Sequence, residues 1–323
     1  MDCTNKKLQV IYGDVNLGVC GGCDKEKFHY IFSYTAGGPV SLVSGGIEWL
    51  YRVPRPAFWR ALTDNDRGSN FHVRSGMWLA ADMFIKCTGV DVAIDGEEIA
   101  LPVGPGNNQY SDEEYAESVK VTYVYETITC PAATVQVDYM VNASGDIRVD
   151  AKYRGVEGLP SLPVFGMRFV MPTAADKFVY QGLSGETYPD RMAGGEEGVY
   201  EVEELPVTPY MVPQDCGMHM QTDWVEVYRS TTLDNSNQKP GVKSLKLVTD
   251  KCAFSCLPYT PEELENAFHH EELPPVRRTV LSVYGAVRGV GGINSWGADP
   301  EPQYHIDAQK EISFGFTICG PKA

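Results

Sequence analysis

The chain has 323 residues, of which 43% are hydrophobic and 22% are charged, a composition typical of a globular protein. Acidic residues outnumber basic ones by 43 to 27, and the resulting net charge of −16 argues against nucleic acid or anionic lipid as a partner. The sequence has no apolar run long enough to cross a membrane, and its polar first residues do not resemble a secretory signal. We therefore expect a cytoplasmic protein with no nucleic-acid or membrane partner.

Short segments rich in β-branched and aromatic residues predict strands along nearly the whole chain. The clearest hairpin signal is the pair 135–141 and 147–153, which flanks a turn with Gly145 available for the left-handed position. Helical periodicity is confined to residues 71–86, and a second short helix is expected after Thr260. The other predicted strands are 8–12, 29–34, 119–128, 164–171, 225–228, 243–249, 252–257, 280–284 and 312–318.

Turn-forming residues are spread evenly along the sequence. The 32 glycines and 21 prolines punctuate the strands, and no repeat, low-complexity tract or linker divides the chain. Many short strands with hardly any helix predict an all-β fold. We expect one domain over residues 1–323, a large antiparallel β-sandwich with one or two short helices.

The nine cysteines are scattered, which is typical of free thiols in a reducing compartment. Cys20 and Cys23 form the one pair at metal or redox spacing, and a zinc site would need a second pair. Cys252 and Cys256 are separated by three residues within a strand-like segment, so they are a poor second pair. We predict no metal site, and we interpret 20–23 as a turn with two incidental thiols.

Motifs that carry catalytic chemistry are missing from the sequence. It has no nucleophile elbow, phosphate-binding loop or zinc-protease motif. The run 269–272 (His-His-Glu-Glu) has a metal-like composition, but neighbouring strand residues point to opposite faces, so a solvated turn is the better interpretation. Residues 64–68 (Asp-Asn-Asp-Arg-Gly) resemble the start of a calcium loop without its later glutamate, and they predict a hydrogen-bonded turn. No residue is nominated as catalytic.

A tryptophan stands in the glycine-rich loop 289–297, Gly-Val-Gly-Gly-Ile-Asn-Ser-Trp-Gly. Its four glycines give the loop a backbone freedom that permits a tight, shaped turn. Two interpretations of Trp296 stay open. The ring either folds back onto its own sheet or offers a flat apolar surface to a flat ligand such as a sugar ring.

Two other segments gather aromatic and charged residues on turns, as interfaces and polar-ligand grooves do. One runs from Phe58 to Gly68, and the other is 185–191. The alternative is that Arg60 and Arg191 form internal salt bridges that brace long loops. The candidate site-loop or interface residues are Trp59, Arg60, Asp64, Asn65, Asp66, Arg67, Tyr188, Asp190 and Arg191.

Three motifs together carry a resemblance to a known family: 58–68 (FWRALTDNDRG), 182–191 (GLSGETYPDR) and 289–297 (GVGGINSWG). They resemble the C-terminal domain of the large bacterial β-galactosidases of glycoside hydrolase family 2. They are still more similar to the separately encoded small subunit of heterodimeric β-galactosidases. Residues 205–210, 217–222, 271–274 and 277–289 extend the resemblance, in order, over nearly the whole chain.

The resemblance implies a β-supersandwich similar to the galactose mutarotase fold and a part in retaining hydrolysis of lactose and other terminal β-galactosides. It places both catalytic glutamates and the Mg²⁺ ligands on the barrel-containing large subunit, so this chain is expected to hold no catalytic residue, metal or cofactor. It further implies that Trp296 stacks on the aglycone sugar, with Asn294 and Ser295 beside it in the substrate site. The chain departs from many relatives by having Ile293 where they carry an acid.

Our hypothesis is that the chain is the non-catalytic small subunit of a β-galactosidase, with the large subunit and a galactoside as its partners. The loops around 59–67 and 188–191 would brace the site or face the large subunit. Two alternatives stay open. A free-standing aldose 1-epimerase-like enzyme would need a His–Glu pair in a groove of the sandwich, whereas a carbohydrate-binding module would bind galactosides alone.

Overall fold

The structure is a computed structural model that describes residues 7–101 and 114–322. Within these ranges the regular secondary structure is dominated by β-strands, with only short helices, which confirms the expected all-β class. The strands are β1 Leu8–Tyr12, β2 Asn16–Gly21, β3 Phe28–Ser33, β4 Gly38–Ser44, β5 Ile47–Glu48, β6 Arg55–Ala57, β7 Lys86–Ile94, β8 Glu97–Ile99, β9 Tyr115–Ala116, β10 Ser118–Glu126, β11 Thr134–Asn142, β12 Ile147–Arg154, β13 Val164–Met171, β14 Lys177–Leu183, β15 Glu197–Glu203, β16 Met218–Arg229, β17 Lys243–Leu257, β18 Thr279–Val287 and β19 Ile312–Ile318. The helices are α1 Asp64–Gly68, α2 Phe71–Ser75 and α3 Pro261–Asn266.

The strands form two sheets, and every recorded strand pair is antiparallel. The smaller sheet has the order β5-β4-β3-β2-β1-β9. The larger has 13 strands, with the path β15-β14-β16-β17-β19-β12-β11-β10-β7-β8 and a branch from β17 through β18 and β13 to β6. The branch arises because the first half of β17 pairs with β19 and the second half with β18. Lys251 separates the halves with a left-handed φ of 54°, so the two predicted segments 243–249 and 252–257 are one bent strand.

Both sheets contribute to one hydrophobic core. Leu17 and Phe32 of the smaller sheet belong to the same cluster of buried side chains as Val121, Val149 and Phe316 of the larger one. Burial of apolar area is the main favourable term in folding, so this shared core holds the sheets together. The expectation of one domain over residues 1–323 stays a prediction.

Strand register brings together the two motifs that begin with Phe58 and Gly289. Ala57, at the end of β6, pairs with Gly166 of β13, and Val164 of β13 pairs with Val287, at the end of β18. Strands β6 and β18 therefore run in the same direction and end at the same edge of the sheet. The loops that leave this edge are neighbours in space although more than 200 residues separate them.

The predicted helix over residues 71–86 is wrong in extent. Helix α2 ends at Ser75, one 3₁₀ turn follows, and Ala80 takes a left-handed φ of 61° that a helix cannot continue through. Of the apolar residues in this segment, Phe71 and Trp78 are buried, whereas Val73 is exposed.

Two helices begin at a capping box, in which the side chains of the N-cap and N3 residues bond each other's backbone amides. The expected helix after Thr260 is confirmed as α3, capped by Thr260 and Glu263 with Pro261 in its first turn. The predicted turn at residues 64–68 is instead the short helix α1, capped by Thr63 and Asp66. Thr63 and Asp66 have the spacing of a capping box, and this signal in the sequence was missed.

Cys23 is disulfide-bonded, so the expectation of a free thiol is wrong at this position. Cys20, the other half of the suspected pair, is a free and buried cysteine.

In the part of the chain that the structure describes, no helix is long and apolar enough to span a membrane.

Candidate functional site

Trp296 is the most exposed large apolar side chain among the described residues, with 91% of its surface accessible. Trp49, Trp59 and Trp78 are buried in the core, and Trp224 is half-buried with Lys246 stacked 3.8 Å over its ring. The interpretation that Trp296 folds back onto its own sheet is therefore wrong. Leaving an aromatic side chain of this size in water forgoes about 3 kcal/mol of burial free energy.

The loop that presents Trp296 is stabilised from within. Asn294 Oδ1 accepts hydrogen bonds from the backbone N–H groups of Trp296 at 2.9 Å and Ala298 at 3.3 Å. Gly292 and Gly297 lie on either side of this turn with left-handed φ angles of 75° and 74°. An L-residue with a Cβ pays a penalty in this region, so the two glycines permit the turn. Asn294 thus shapes the loop, and exposed Ser295 stands next to the indole.

Asp190 and Arg191 anchor the start of the loop. The Asp190 carboxylate accepts the backbone N–H groups of Val290 at 3.0 Å and Gly291 at 2.8 Å, and its side chain is almost fully buried. Arg191 donates to the Gly291 carbonyl and to the carbonyl of Asp190. Hydrogen bonds to a charged acceptor are worth about 1.5–3 kcal/mol each, so this contact holds the loop at one fixed place.

Helix α1 also contacts the Trp296 loop. Asn65 Nδ2 donates to the Val290 carbonyl at 3.0 Å. Gly68 and Gly297 touch through their backbones, and a Cβ on Gly297 would overlap the Gly68 carbonyl oxygen. The two motifs that the sequence analysis singled out therefore form one structural unit with Trp296 at its tip.

A buried ion cluster lies beneath this unit. Asp66 accepts from Arg60 Nη1 at 2.7 Å and from Arg288 Nη1 at 3.2 Å, and all three side chains are buried. Arg288 Nη2 continues to Asp299 at 2.7 Å, and Arg74 binds the same Asp299 oxygen at 2.8 Å. Removing one partner of a buried pair typically costs about 3–5 kcal/mol, so the cluster ties the end of β18 to α1 and α2.

Burial and neighbouring charges act in opposite directions on the two buried arginines. Burial lowers the pKa of Arg60, but the carboxylates of Asp66 and Asp215 outweigh it and raise that pKa. At Arg288 burial dominates, and the pKa is lowered despite Asp299 and Asp66. Because an arginine pKa begins far above neutrality, both guanidinium groups are charged at pH 7.

Asp215 adds a third carboxyl group to the cluster. Burial raises its pKa to about 6, against the opposing effects of Arg60 and of the hydrogen bond from Tyr188. Tyr188 Oη lies 2.9 Å from Asp215 Oδ2, and Arg60 Nε lies 4.0 Å from the same oxygen. Because Asp215 and Tyr188 are both buried, this pair braces the site from inside.

The candidate residues thus fall into two groups: buried residues that hold the loops in place, and exposed residues that a partner or ligand could contact. The internal salt bridge considered for Arg60 is confirmed, and Arg191 pairs with Asp190 at 3.7 Å. Trp59 is buried and its indole N–H donates to Glu265 at 3.3 Å, so it offers no ring face to a ligand. Asp64 and Arg67 are the outward groups of α1, paired at 3.4 Å.

Sequence reasoning missed several supporting residues. Arg288, Asp299 and Asp215 complete the ion cluster, while Glu265 and Gln214 bond the backbone of the segment around α1. Arg288 lies 222 positions after Asp66 and Glu265 lies 203 after Leu62. No local pattern encodes pairing at such separations, although Arg288 directly precedes the loop motif.

The histidines offer little for chemistry. His219 is buried among aromatic rings, its Nδ1 lies 2.8 Å from the Gly185 carbonyl, and burial lowers its pKa to about 4. The 269–272 run is exposed, and His269 pairs with Glu272 at 3.0 Å. Within residues 7–101 and 114–322, no group of three or more His, Cys, Asp or Glu side chains is arranged to hold a metal ion.

The family model described as "Beta galactosidase small chain" matches residues 24–318. The chain belongs to this family. It is 62% identical over 318 residues to a protein of Latilactobacillus sakei named β-galactosidase small subunit, and the match covers 98% of both chains. The expected family resemblance is therefore confirmed.

Longer relatives contain a region similar to this chain as one part of a larger polypeptide. A β-galactosidase of Halalkalibacterium halodurans is 34% identical over 316 residues, which are 96% of this chain but 28% of that protein. Among solved structures, a galactose mutarotase-like protein from Lactobacillus casei aligns with 94% of the chain at 10% identity and a TM-score of 0.41.

Proposed function

We propose that this family member is the non-catalytic subunit of a two-chain cytoplasmic β-galactosidase and completes its active site. The large subunit would supply the catalytic glutamates and the Mg²⁺ ion. Trp296 would form the outer wall of the pocket and stack on the aglycone sugar of lactose or another β-galactoside, with Asn294 and Ser295 beside it.

The observation that carries the proposal is a solvent-exposed indole on a loop whose backbone is held by hydrogen bonds. Trp296 is 91% exposed, yet the backbone around it is fixed by Asp190, Asn65 and Asn294. An exposed aromatic on a rigid support is preorganised for a ligand, because little ordering entropy is lost when it binds. The axial C–H groups of a sugar ring suit the flat face of an indole.

Replacing Trp296 by alanine tests this role in the two-chain enzyme. An aromatic contact is worth about 0.5–1.5 kcal/mol beyond area burial, and about 1.4 kcal/mol corresponds to a factor of ten. We expect Trp296→Ala to raise the KM for lactose roughly tenfold while kcat changes less, and Trp296→Phe to recover most of the loss. Steady-state lactose kinetics on the co-purified complex give both constants.

Trp224→Ala is the matched control, because Trp224 is a half-buried tryptophan on β16 outside the loop. It should leave the lactose KM unchanged. A Trp296→Ala complex that binds and hydrolyses lactose like the wild type would rule out the stacking role.

A further inference from the structure

The four most exposed large apolar side chains of the described residues are Trp296 at 91%, Met211 at 83%, Phe268 at 74% and Val73 at 72%. Val73 lies on helix α2, and the other three lie on three different loops of the chain. Single exposed apolar residues are ordinary on a protein surface, but a group of them marks an interaction site. We call these four residues the α1 rim, because each lies on a segment that is bound to α1 or to the residues beside it.

Direct contacts join two of these segments to α1. The Trp296 loop packs against it through Gly68 and Gly297 and through the bond from Asn65 to Val290. Val73 follows α1 by five residues, and the next residue, Arg74, donates to the carbonyl of Ser69 at the end of α1 at 3.2 Å and pairs with Asp299, two residues after the Trp296 loop, at 2.8 Å.

The other two segments are hydrogen-bonded to residues at or just before the start of α1. Gln214, three residues after Met211, accepts the backbone N–H of Asp64 at 2.8 Å. Glu265, three residues before Phe268, accepts the backbone N–H of Leu62 at 3.0 Å.

The segments carrying Met211 and Phe268 also pack against each other. Cys216 and Leu264 lie in one small hydrophobic cluster with Ala61, and Val207 and Leu273 pack on its edge. Each segment therefore buries several side chains in a shared cluster and leaves one large apolar side chain outside it. Met211 and Phe268 are thus exposed on segments that are anchored by buried side chains.

We infer that the α1 rim is the surface on which the catalytic large subunit docks, an inference that rests on the proposed function. The rim includes Trp296, and its four segments are all connected to α1 or to the residues beside it, so a partner that brings reacting groups to Trp296 approaches this part of the surface. In the longer relatives the matched region is about 27–28% of one polypeptide, so the remainder of that polypeptide is available to cover this surface.

The chemistry of the rim suits such a partner. Interface cores are enriched in aromatic residues and methionine, and the rim consists of Trp, Phe, Met and Val. On helix α1, exposed Asp64 and partly exposed Arg67 are already paired with each other at 3.4 Å. A partner with a mostly apolar surface can cover them without leaving an unmatched charge.

The test places a charge on the rim and measures association with the large subunit. Met211→Glu and Phe268→Glu would each bury an unpaired carboxylate in the interface. Both should raise the dissociation constant of the two subunits at least tenfold, because central apolar contacts carry most of the binding energy. Titration of the immobilised large subunit measures this constant, and thermal unfolding of the isolated variants verifies that they are folded.

Val199→Glu and Val242→Glu are the matched controls, since these are the next most exposed apolar side chains, at 61% and 67%, and lie on β15 and before β17. They should change the dissociation constant less than twofold. At saturating large subunit, the Met211→Glu complex should hydrolyse lactose with the wild-type kcat, because the residue acts in docking.

The outcomes separate the inference from the proposed function. An active wild-type complex whose affinity is unchanged by Met211→Glu and Phe268→Glu overturns the docking surface and leaves the proposed function standing. A pair that binds but hydrolyses no lactose overturns the proposed function. A pair that does not bind overturns both. A rim that instead mediates self-association of the isolated chain, measured by light scattering, overturns the docking surface alone.

Discussion

At the scale of single residues, the position of the Asp190 side chain depends on the absence of a side chain at Gly289. The carboxylate of Asp190 lies against the loop backbone, and a Cβ on Gly289 would come within 2.8 Å of its Cγ atom. Real Cβ atoms do not approach so closely, so Gly289 is required for Asp190 to reach the amides of Val290 and Gly291. The glycine and the aspartate act together to place the loop that ends in Trp296.

Asp190 is therefore predicted to be a positioning residue for Trp296. Asp190→Ala removes two charge-assisted hydrogen bonds, and we expect it to raise the KM for lactose several-fold in the two-chain enzyme. Asp190→Asn keeps the volume but turns one acceptor into a donor that faces an N–H group, so its effect should be similar in direction.

A double-mutant cycle distinguishes positioning of the indole from a general loss of structure. In the Trp296→Ala background, Asp190→Ala should add little to the KM. Asp234→Ala is the control, since Asp234 also accepts a loop amide, that of Ser236 at 2.8 Å, but far along the chain from the site. Fully additive effects of Asp190→Ala and Trp296→Ala would disprove the positioning role.

At the scale of elements, the contact between α1 and the Trp296 loop depends on the absence of side chains. Gly297→Ala should destabilise the protein for two reasons, the left-handed φ of 74° and the overlap with the Gly68 carbonyl. Gly194→Ala meets the same φ penalty at 86° but has open space around its Cβ position. The left-handed conformation costs roughly 1–2 kcal/mol for a residue with a Cβ.

We therefore expect both glycine variants to lower the free energy of unfolding, and Gly297→Ala to lower it more. Only Gly297→Ala should also raise the lactose KM, because only it displaces the loop from α1. Urea denaturation and lactose kinetics check the two effects. Equal losses of stability in the two variants, with unchanged kinetics, would show that the α1 contact does not shape the loop.

Strands were more predictable from the sequence than helices were. Predicted segments match β1, β13 and β19 residue for residue, because period-2 alternation and dense apolar runs are local signals. The hairpin at Gly145 is likewise confirmed, with a φ of 82°. The helix predicted over 71–86 failed in extent, because helical periodicity cannot detect the left-handed residue Ala80 that interrupts it or tell that Phe71 is buried while Val73 is exposed.

At the scale of the whole molecule, the sequence predicts a candidate site, but it does not predict the contacts that hold the site together. Clusters of glycine, tryptophan and aspartate in the sequence are sufficient to identify the loops around Trp296 and Asp190. Their supports are distant in the chain, as with Asp66 and Arg288, and only the register of β6, β13 and β18 brings them together. Pairings of this kind are consequences of the finished fold.

The whole account depends on an active site shared between two polypeptides. The most direct test mixes the purified chain with the purified large subunit and follows lactose hydrolysis as the ratio is varied. We predict that neither chain alone hydrolyses lactose and that the activity of the mixture rises and then saturates at a fixed ratio. Hydrolysis by this chain alone, or a large subunit that is equally active without it, would contradict the central claim.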